Sequence, residues 1–222
     1  MEIEPIAFFR SPFSSKFGIP KQSGLVGTLR GSIEFVPKYR SADSLRGIED
    51  FDYLWLIWGF SANRHAASSP VVRPPLLGGN AKMGVFATRS PFRPNGLGLS
   101  SVRISGVEYA SPHGPVIHVL GADLMDGTPI YDIKPYVAYA DCHTGVRSGF
   151  VDTHAARRLS VVIPDAVASL FDDVSEVESL RKVLELDPRP QYQKDSDKVY
   201  GMMYAGRNIR FRVSGGVLTV VE

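Results

Sequence analysis

The sequence predicts a mainly β protein, a barrel or sandwich of short strands followed by a smaller α+β unit. Three observations predict it. Glycine and proline punctuate roughly the first 140 residues, the apolar runs between them are too short for helices, and helical periodicity is strong only late in the chain. In order, the strand candidates are Ile3 to Phe9, Thr28 to Val36, Tyr53 to Phe60, Gly84 to Ala87, Ser100 to Val107 and Val116 to Leu120. Alternation is imperfect in Thr28 to Val36, whereas Ser100 to Val107 sets Val102, Ile104 and Gly106 on one face. Many short strands with turn signals favour a barrel or sandwich over a doubly wound sheet. One short helix is expected in this half, Ala42 to Ile48, with Ser41 as its N-cap.

After about Tyr139 the pattern changes. Val177, Leu180, Val183, Leu184 and Leu186 recur at helical spacing, and Asp187-Pro188-Arg189-Pro190 stops that helix, because proline disfavours the α conformation in the residue before it. The tail then alternates as Val199 to Tyr204, Ile209 to Val213 and Val217 to Val221, separated by Ala205-Gly206-Arg207-Asn208 and Ser214-Gly215-Gly216, which reads as a three-stranded meander. The expected division is residues 1–145 and 146–222.

With 222 residues, 44% of them hydrophobic and 22% charged, the chain can bury a real core. The single cysteine, Cys142, cannot close an internal disulfide or complete a thiolate metal cluster, so a reducing, cytoplasmic setting is expected. The start, MEIEPIAFFRSPF, lacks the basic lead and apolar core of a signal peptide, and no run is long enough for a membrane span. Net charge is only +2, but its distribution is uneven. No acidic residue stands between Asp52 and Glu108, a stretch that holds Arg64, Arg73, Lys82, Arg89, Arg93 and Arg103. An anion would be welcome there; a loop-rich region with solvated arginines would look the same.

Several standard sites are excluded by spacing. Gly79-Asn80-Ala81-Lys82-Met83-Gly84 has phosphate-loop glycines, yet Val85-Phe86 stands where Lys and Ser/Thr are needed. Gly96-Leu97-Gly98-Leu99-Ser100-Ser101 follows a loop rather than a strand and leads into β-branched residues rather than a helix, which argues against a Rossmann-type nucleotide site. His65, His113, His118, His143 and His154 show no metal-ligand spacing, so no metal is expected.

Three loops remain. Ser11 to Gln22 offers Lys16, Lys21 and Gln22 on a backbone fixed by two prolines and a glycine. Arg73 to Asn95 is too polar for core and is stiffened by proline, as ligand-carrying loops often are. Gly121 to Pro129 places two carboxylates, Asp123 and Asp126, beside an Asp126-Gly127 turn.

The runs PKQSGLV, LRGIEDFDYLWLIWGF, RPPLLGGNAKMGVFATRSPFRPNGLGLS, LGADLMDGTPIYDIKPY and DPRPQYQK resemble the TsaA-like (YaeB, TrmO) methyltransferases, in order from about Ile6 to Val213. The FATRSPFRPN segment is highly specific. The resemblance implies a small, non-Rossmann β-barrel at residues 1–145 that binds S-adenosylmethionine (SAM), a C-terminal α+β domain at 146–222 that contacts tRNA, and a homodimer. The implied reaction is methylation of N6 of threonylcarbamoyladenosine beside the anticodon of threonine tRNA. By position, the implied SAM contacts are Pro20, Lys21, Gln22, Phe60, Ser61, Ala62, Arg89, Leu99, Asp123, Leu124, Met125, Asp126, Gly127 and Thr128. Two places depart from the family pattern: Ser61-Ala62 stands where members often carry His-Gln, and Gly96-Leu97-Gly98 where they carry Pro-Ile-Gly. The first removes the side-chain hydrogen bonds of His-Gln, and backbone groups could serve in their place.

SAM carries a sulfonium, an amino acid end and an adenine, and the three loops hold matching residue types. Asp123 or Asp126 suits an amine or ribose hydroxyl, Arg89 the cofactor carboxylate or the tRNA, and Leu99, Leu124 and Met125 the adenine. Transfer needs near-attack geometry more than a dedicated nucleophile, and no residue stands out as base. Arg73, Lys82, Arg93, Arg207, Arg210 and Arg212 are candidates for phosphate contacts, Arg210 and Arg212 sharing one face of a strand. A solvated edge strand would give the same pattern. Two other readings fit these residues, a non-enzymatic RNA-binding module and a SAM-dependent enzyme acting on another RNA or a small molecule.

Overall fold

A computed structural model of the chain describes residues 2–63, 69–79, 81–154, 158–190 and 198–221. Arg64, His65, Asn80 and residues 191–194 of the DPRPQYQK run lie outside the described residues. The strands are β1 (Ala7–Arg10), β2 (Arg30–Phe35), β3 (Tyr53–Gly59), β4 (Val71–Val72), β5 (Met83–Gly84) and β6 (Leu97–Glu108). They continue with β7 (Val116–Leu120), β8 (Pro129–Pro135), β9 (Ser160–Val162), β10 (Tyr200–Tyr204), β11 (Arg207–Ser214) and β12 (Val217–Val220). The α-helices are α1 (Ala138–Asp141), α2 (Asp165–Ala168) and α3 (Val174–Glu185).

Six strands form one sheet in the order β1-β2-β7-β6-β3-β8, and β8 pairs back with β1. Every pairing in this sheet is antiparallel. Its inner face is set by alternation: Leu54, Leu56 and Trp58 on β3, Ile33 and Phe35 on β2 and Ile117 and Val119 on β7 are all buried. Each such side chain contributes about 1.5–3 kcal/mol when withdrawn from water. The alternation expected for β6 holds from Ser100 to Val102 and is then broken by a register shift between Ile104 and Gly106.

The strand β8 was not foreseen from sequence. Pro129 and Pro135 read as breakers, and Asp132 and Lys134 interrupt its apolar character. Proline is nevertheless tolerated at a strand's first residue, where no ladder N–H is required, and Ile130 reaches full burial against the core. The expected helix from Ala42 to Ile48 is instead two 3₁₀ turns, Ala42–Leu45 and Ile48–Asp50. Gly47, at φ 86°, divides them, and the Ser41 side chain makes no capping bond. The apolar run at Gly84 to Ala87 likewise becomes a two-residue strand and a 3₁₀ turn, Val85–Ala87.

The second sheet has the order β10-β11-β12-β9. The meander expected from the tail is its first three strands; β9, only Ser160–Val162, adds to β12 in parallel. Helix α3 starts where the Asp173 carboxylate accepts the Ser175 N–H at 2.7 Å, and buries Leu180, Val183 and Leu184 against this sheet. It ends before Asp187, which takes a positive φ of 50°. The core under this sheet also takes in Phe13, Val26 and Leu29 from the start of the chain, so packing does not divide where the sequence pattern changes. No helix among the described residues is long and apolar enough to cross a membrane.

Candidate functional site

The site begins with a close approach between β3 and β6. Trp58 pairs with Gly98 across the two strands, and a Cβ at Gly98 would lie 2.3 Å from the indole. Only glycine lets the ring settle there. The indole also meets Phe60 edge to face, with ring centroids 4.4 Å apart. Held so, the Trp58 Nε1–H donates to Ser100 Oγ at 3.0 Å, and the Ser100 hydroxyl donates onward to Asp123 Oδ1 at 2.6 Å. Ser100 is 1% exposed, so this chain of bonds is sealed from water along most of its length.

Asp123 leaves the end of β7 through Gly121, whose φ is 80°. Two backbone bonds pin the loop before β2 to this turn: Gly24 N–H to the Gly121 carbonyl and Gly121 N–H to the Leu29 carbonyl, both 2.8 Å. Backbone donors of Asp123 and Ser23 reach the Asp123 carboxylate as well. Burial pushes this carboxyl above its ordinary range, while the Ser100 hydroxyl, the backbone donors and the positive charge of Arg89 pull the other way. Among the described residues no Lys, Arg or His nitrogen lies within 4.0 Å of Asp123. A half-buried, hydrogen-bonded carboxylate with no cation in direct contact is suited to a cationic ligand.

Arg89 and Gln22, expected from separate loops, meet in the structure: the guanidinium donates to Gln22 Oε1 at 2.5 Å, and the Gln22 amide donates to the Lys21 carbonyl at 2.6 Å. The loop carrying Arg89 is built by its own hydroxyls. Thr88 Oγ1 donates to the Val85 carbonyl and accepts the Ser90 N–H, and Ser90 Oγ accepts the Phe92 N–H. Arg93 donates to the carbonyls of Thr88 and Ser90, each at 3.1 Å. Its observed work is thus to brace the loop, which leaves its other N–H groups for any phosphate.

The remaining expected residues divide. Leu99 is 57% exposed, Lys21 and Ser61 are exposed, and Phe60 and Ala62 are partly buried. The Ser61 N–H is turned back to the Gly59 carbonyl at 2.8 Å, and Pro20 is buried. The Asp123 to Thr128 run does not act as one surface. Leu124 lies in the core of the first sheet, so its side chain packs protein and only its backbone is left for a cofactor. Asp126 faces β1, accepting the Ser11 N–H at 3.1 Å with Arg10 3.9 Å away. Gly127 and Thr128 join Phe9 by backbone bonds, and the Thr128 side chain is buried. Met125 is partly buried. Of the two carboxylates the sequence left open, Asp123 is the one that joins the Ser100, Ser23 and Arg89 neighbourhood.

Arg73 and Lys82 are exposed; Phe86, 79% exposed, lines a hollow of about 320 Å³ with Pro70, Val85 and Pro94. On β11, Arg210 and Arg212 stand on the outer face opposite buried Ile209, Phe211 and Val213. That strand is internal to the sheet, flanked by β10 and β12, and is not the edge strand that the pattern also allowed. Arg207 is turned inward, its guanidinium 5.0 Å from the Phe171 ring centre, and so is occupied by stacking. A second cleft, about 380 Å³, is lined by Arg10, Arg30 and Tyr204, but its arginines are already paired with Glu34 and Asp173. No cluster suited to a metal occurs among the described residues.

Ser100 and Trp58 were missed from sequence as site residues. Their signal was present in part: a serine in phase with buried Val102, facing a strand whose tryptophan must find an acceptor when buried.

Residues 8–142 match the tRNA-methyltransferase O N-terminal domain, and residues 157–222 match the TrmO C-terminal domain. The chain is 38% identical over 221 residues to the tRNA (adenine(37)-N6)-methyltransferase of Escherichia coli strain K12, covering 96% of this chain and 93% of that protein. It is also 38% identical to a putative S-adenosylmethionine-dependent methyltransferase of Pseudomonas aeruginosa, over 90% of this chain and 87% of that one. A crystal structure of TrmO superposes with a TM-score of 0.80 at 29% identity, covering 100% of this chain and 98% of the other.

Proposed function

The chain belongs to the tRNA-methyltransferase O family, and on that footing we propose that it methylates N6 of the adenosine beside the anticodon of tRNA, using SAM. It is a SAM-dependent tRNA methyltransferase. Within that activity the acceptor we assign is the threonylcarbamoyl-modified adenosine of threonine tRNA.

The observation that carries the cofactor site is the half-buried Asp123 carboxylate, aimed by Ser100 and with no Lys, Arg or His nitrogen of the described residues within 4.0 Å. SAM supplies an electrophilic methyl group and two cationic centres. Asp123 is suited to one of those centres, the Arg89–Gln22 pair to the carboxylate end, and exposed Leu99 to the adenine. Lys21 and the segment Phe60 to Ala62 border the same cofactor in this reading, with backbone groups serving at Ser61 and Ala62. What these residues do for the reaction is hold donor and acceptor in register and exclude water, which by itself can account for a large part of the rate.

The antiparallel, closed pairing of the first sheet supports a barrel-type SAM domain at residues 1–145 rather than a Rossmann one. Residues 146–222 form the tRNA-contacting unit in this reading, with Arg210 and Arg212 on its outer face and Arg73 and Lys82 on the loop side. A homodimer working in the cytoplasm completes the proposal. A calorimetric titration with SAM tests it: a saturable heat with a stoichiometry near one per chain supports the reading, and the absence of specific heat would leave an RNA-binding module instead.

A further inference from the structure

We propose that Ser100 is a positioning residue, oriented by Trp58, that fixes the Asp123 carboxylate toward the cationic part of the cofactor; this rests on the reading of Asp123 as a SAM contact.

The geometry gives the relay a direction. The indole N–H is a donor only, so it must occupy an acceptor lone pair of the Ser100 oxygen. That turns the hydroxyl hydrogen away from Trp58 and toward Asp123 Oδ1, 2.6 Å distant. A serine hydroxyl alone rotates freely between donor and acceptor roles; here one role is already taken. The relay therefore favours an ionised acceptor at its end. Its foundation is also built in, because Trp58 can approach β6 only where Gly98 lacks a side chain. Ser100 is 1% exposed and Trp58 is 7% exposed, so neither reaches the cofactor and both act through Asp123. The backbone N–H groups of Asp123 and Ser23 also favour its ionised form, and no Lys, Arg or His nitrogen of the described residues lies within 4.0 Å of it. Among the described residues the charged neighbour acting on it is Arg89, and that residue is hydrogen-bonded to Gln22.

The relay's ligand is a cation, and SAM offers two: an ammonium, which the demethylated product S-adenosylhomocysteine keeps, and a sulfonium, which it loses. Titrating both distinguishes them without changing the proposal.

The test measures calorimetric binding of SAM and S-adenosylhomocysteine to the full chain and to Ser100→Ala, Ser100→Thr, Trp58→Phe and Asp123→Asn. Thermal melting of each protein without cofactor runs alongside. Ser100→Ala is expected to weaken SAM binding about tenfold or more, the scale of a hydrogen bond to a charged group. Ser100→Thr keeps the hydroxyl and is expected to restore most of it. Trp58→Phe, which keeps an aromatic ring but removes the indole N–H and so frees the hydroxyl rotor, is expected to lose less than Ser100→Ala. In Ser100→Ala the acid limb of SAM binding is also expected to move to higher pH, because the carboxylate loses a donor that favours its ionised form. SAM binding by Ser100→Ala equal to that of the wild type overturns the proposal. So does an equal loss in Ser100→Ala and Ser100→Thr, which would make the position steric. If Ser100→Ala does not fold, the Thr and Phe variants decide: a loss in Trp58→Phe with retention in Ser100→Thr supports the relay, and any other pattern opposes it. Wild-type affinity in Asp123→Asn would instead refute the underlying assignment of Asp123.

Discussion

Arg89 and Gln22 stand 67 positions apart in the chain and are joined by a hydrogen bond of 2.5 Å. The bond ties the loop after the 3₁₀ turn Val85–Ala87 to the loop that precedes β2, and it places a cation beside the Asp123 neighbourhood without pairing the two. The arrangement keeps a cation and a carboxylate in one neighbourhood without a direct ion pair, which on the proposed reading suits a zwitterionic amino acid end.

If Arg89 receives a carboxylate there, Arg89→Ala should weaken SAM binding by roughly ten- to a hundredfold, the range of a charged hydrogen bond. Gln22→Ala should cost less. Because the two residues touch, their effects should couple by about 0.5 kcal/mol or more in a double-mutant cycle measured by calorimetry. Additive losses would mean that the two side chains serve the cofactor independently.

Asp123 should make the cofactor-free protein sensitive to pH. Burial holds its folded pKa above the ordinary 3.8, so the folded state binds this proton more tightly than the unfolded chain does. Its contribution to stability therefore falls as pH rises from the ordinary carboxylate range through the raised folded value, and the cost is fully present above that value. Asp123→Asn removes the charge and keeps an acceptor for Ser100. Without cofactor it should melt above the wild type at neutral pH, with the gap narrowing as the pH is lowered toward 4, about the ordinary carboxylate value. The same variant should bind SAM at least about tenfold more weakly. Melting curves across pH give the sign directly; a variant less stable than wild type at neutral pH would contradict the burial argument.

Arg210 and Arg212 lie on the outer face of a sheet whose inner face holds Ile209, Phe211 and Val213. Replacing both with alanine should leave the fold and SAM affinity in place while weakening tRNA binding. The slope of log affinity against log salt should fall by about 1 for each phosphate no longer neutralised. Unchanged tRNA affinity with an unchanged slope would move the RNA face elsewhere, with the Arg73, Lys82 and Phe86 side next to be tested.

Ala205 takes a φ of 47° in the two-residue turn that joins β10 to β11, followed by Gly206 at 74°. Both central residues of such a turn need positive φ, and Asn-Gly is its preferred pair. Ala205→Asn should stabilise the protein by up to about 1 kcal/mol, since an L side chain such as alanine is disfavoured there. Chemical denaturation of the two proteins checks this.

Much of this was legible in the sequence because local pattern and global structure agree there. The short apolar run Tyr53 to Phe60 and the helical spacing from Val177 to Leu186 survive as β3 and α3, and α3 buries Leu180, Val183 and Leu184 as its spacing implies. Strands defined by distant partners were harder to read. The three residues of β9 owe their place to Val217, Leu218 and Thr219, and β8 to β1 and β3, none of them near in sequence. In the site, loop composition singled out the segments that carry Gln22, Arg89 and Asp123 and the family resemblance implied them as contacts, but side-chain direction was invisible. The six-residue run from Asp123 to Thr128 reads as one binding turn, yet in space Leu124 fills the core and Asp126 serves β1. Arginine is equally ambiguous in sequence: Arg93 braces carbonyls and Arg207 stacks on Phe171, and neither use has a local signature.

The central claim is methyl transfer to tRNA, and labelled-methyl transfer from SAM to bulk tRNA of cells lacking this gene, followed by nucleoside analysis, tests it most directly. The expected result is one new labelled nucleoside, N6-methylated threonylcarbamoyladenosine, confined to threonine tRNA and lost with Asp123→Asn. Label on another nucleoside, or no transfer to tRNA by a protein that binds SAM, would contradict the account.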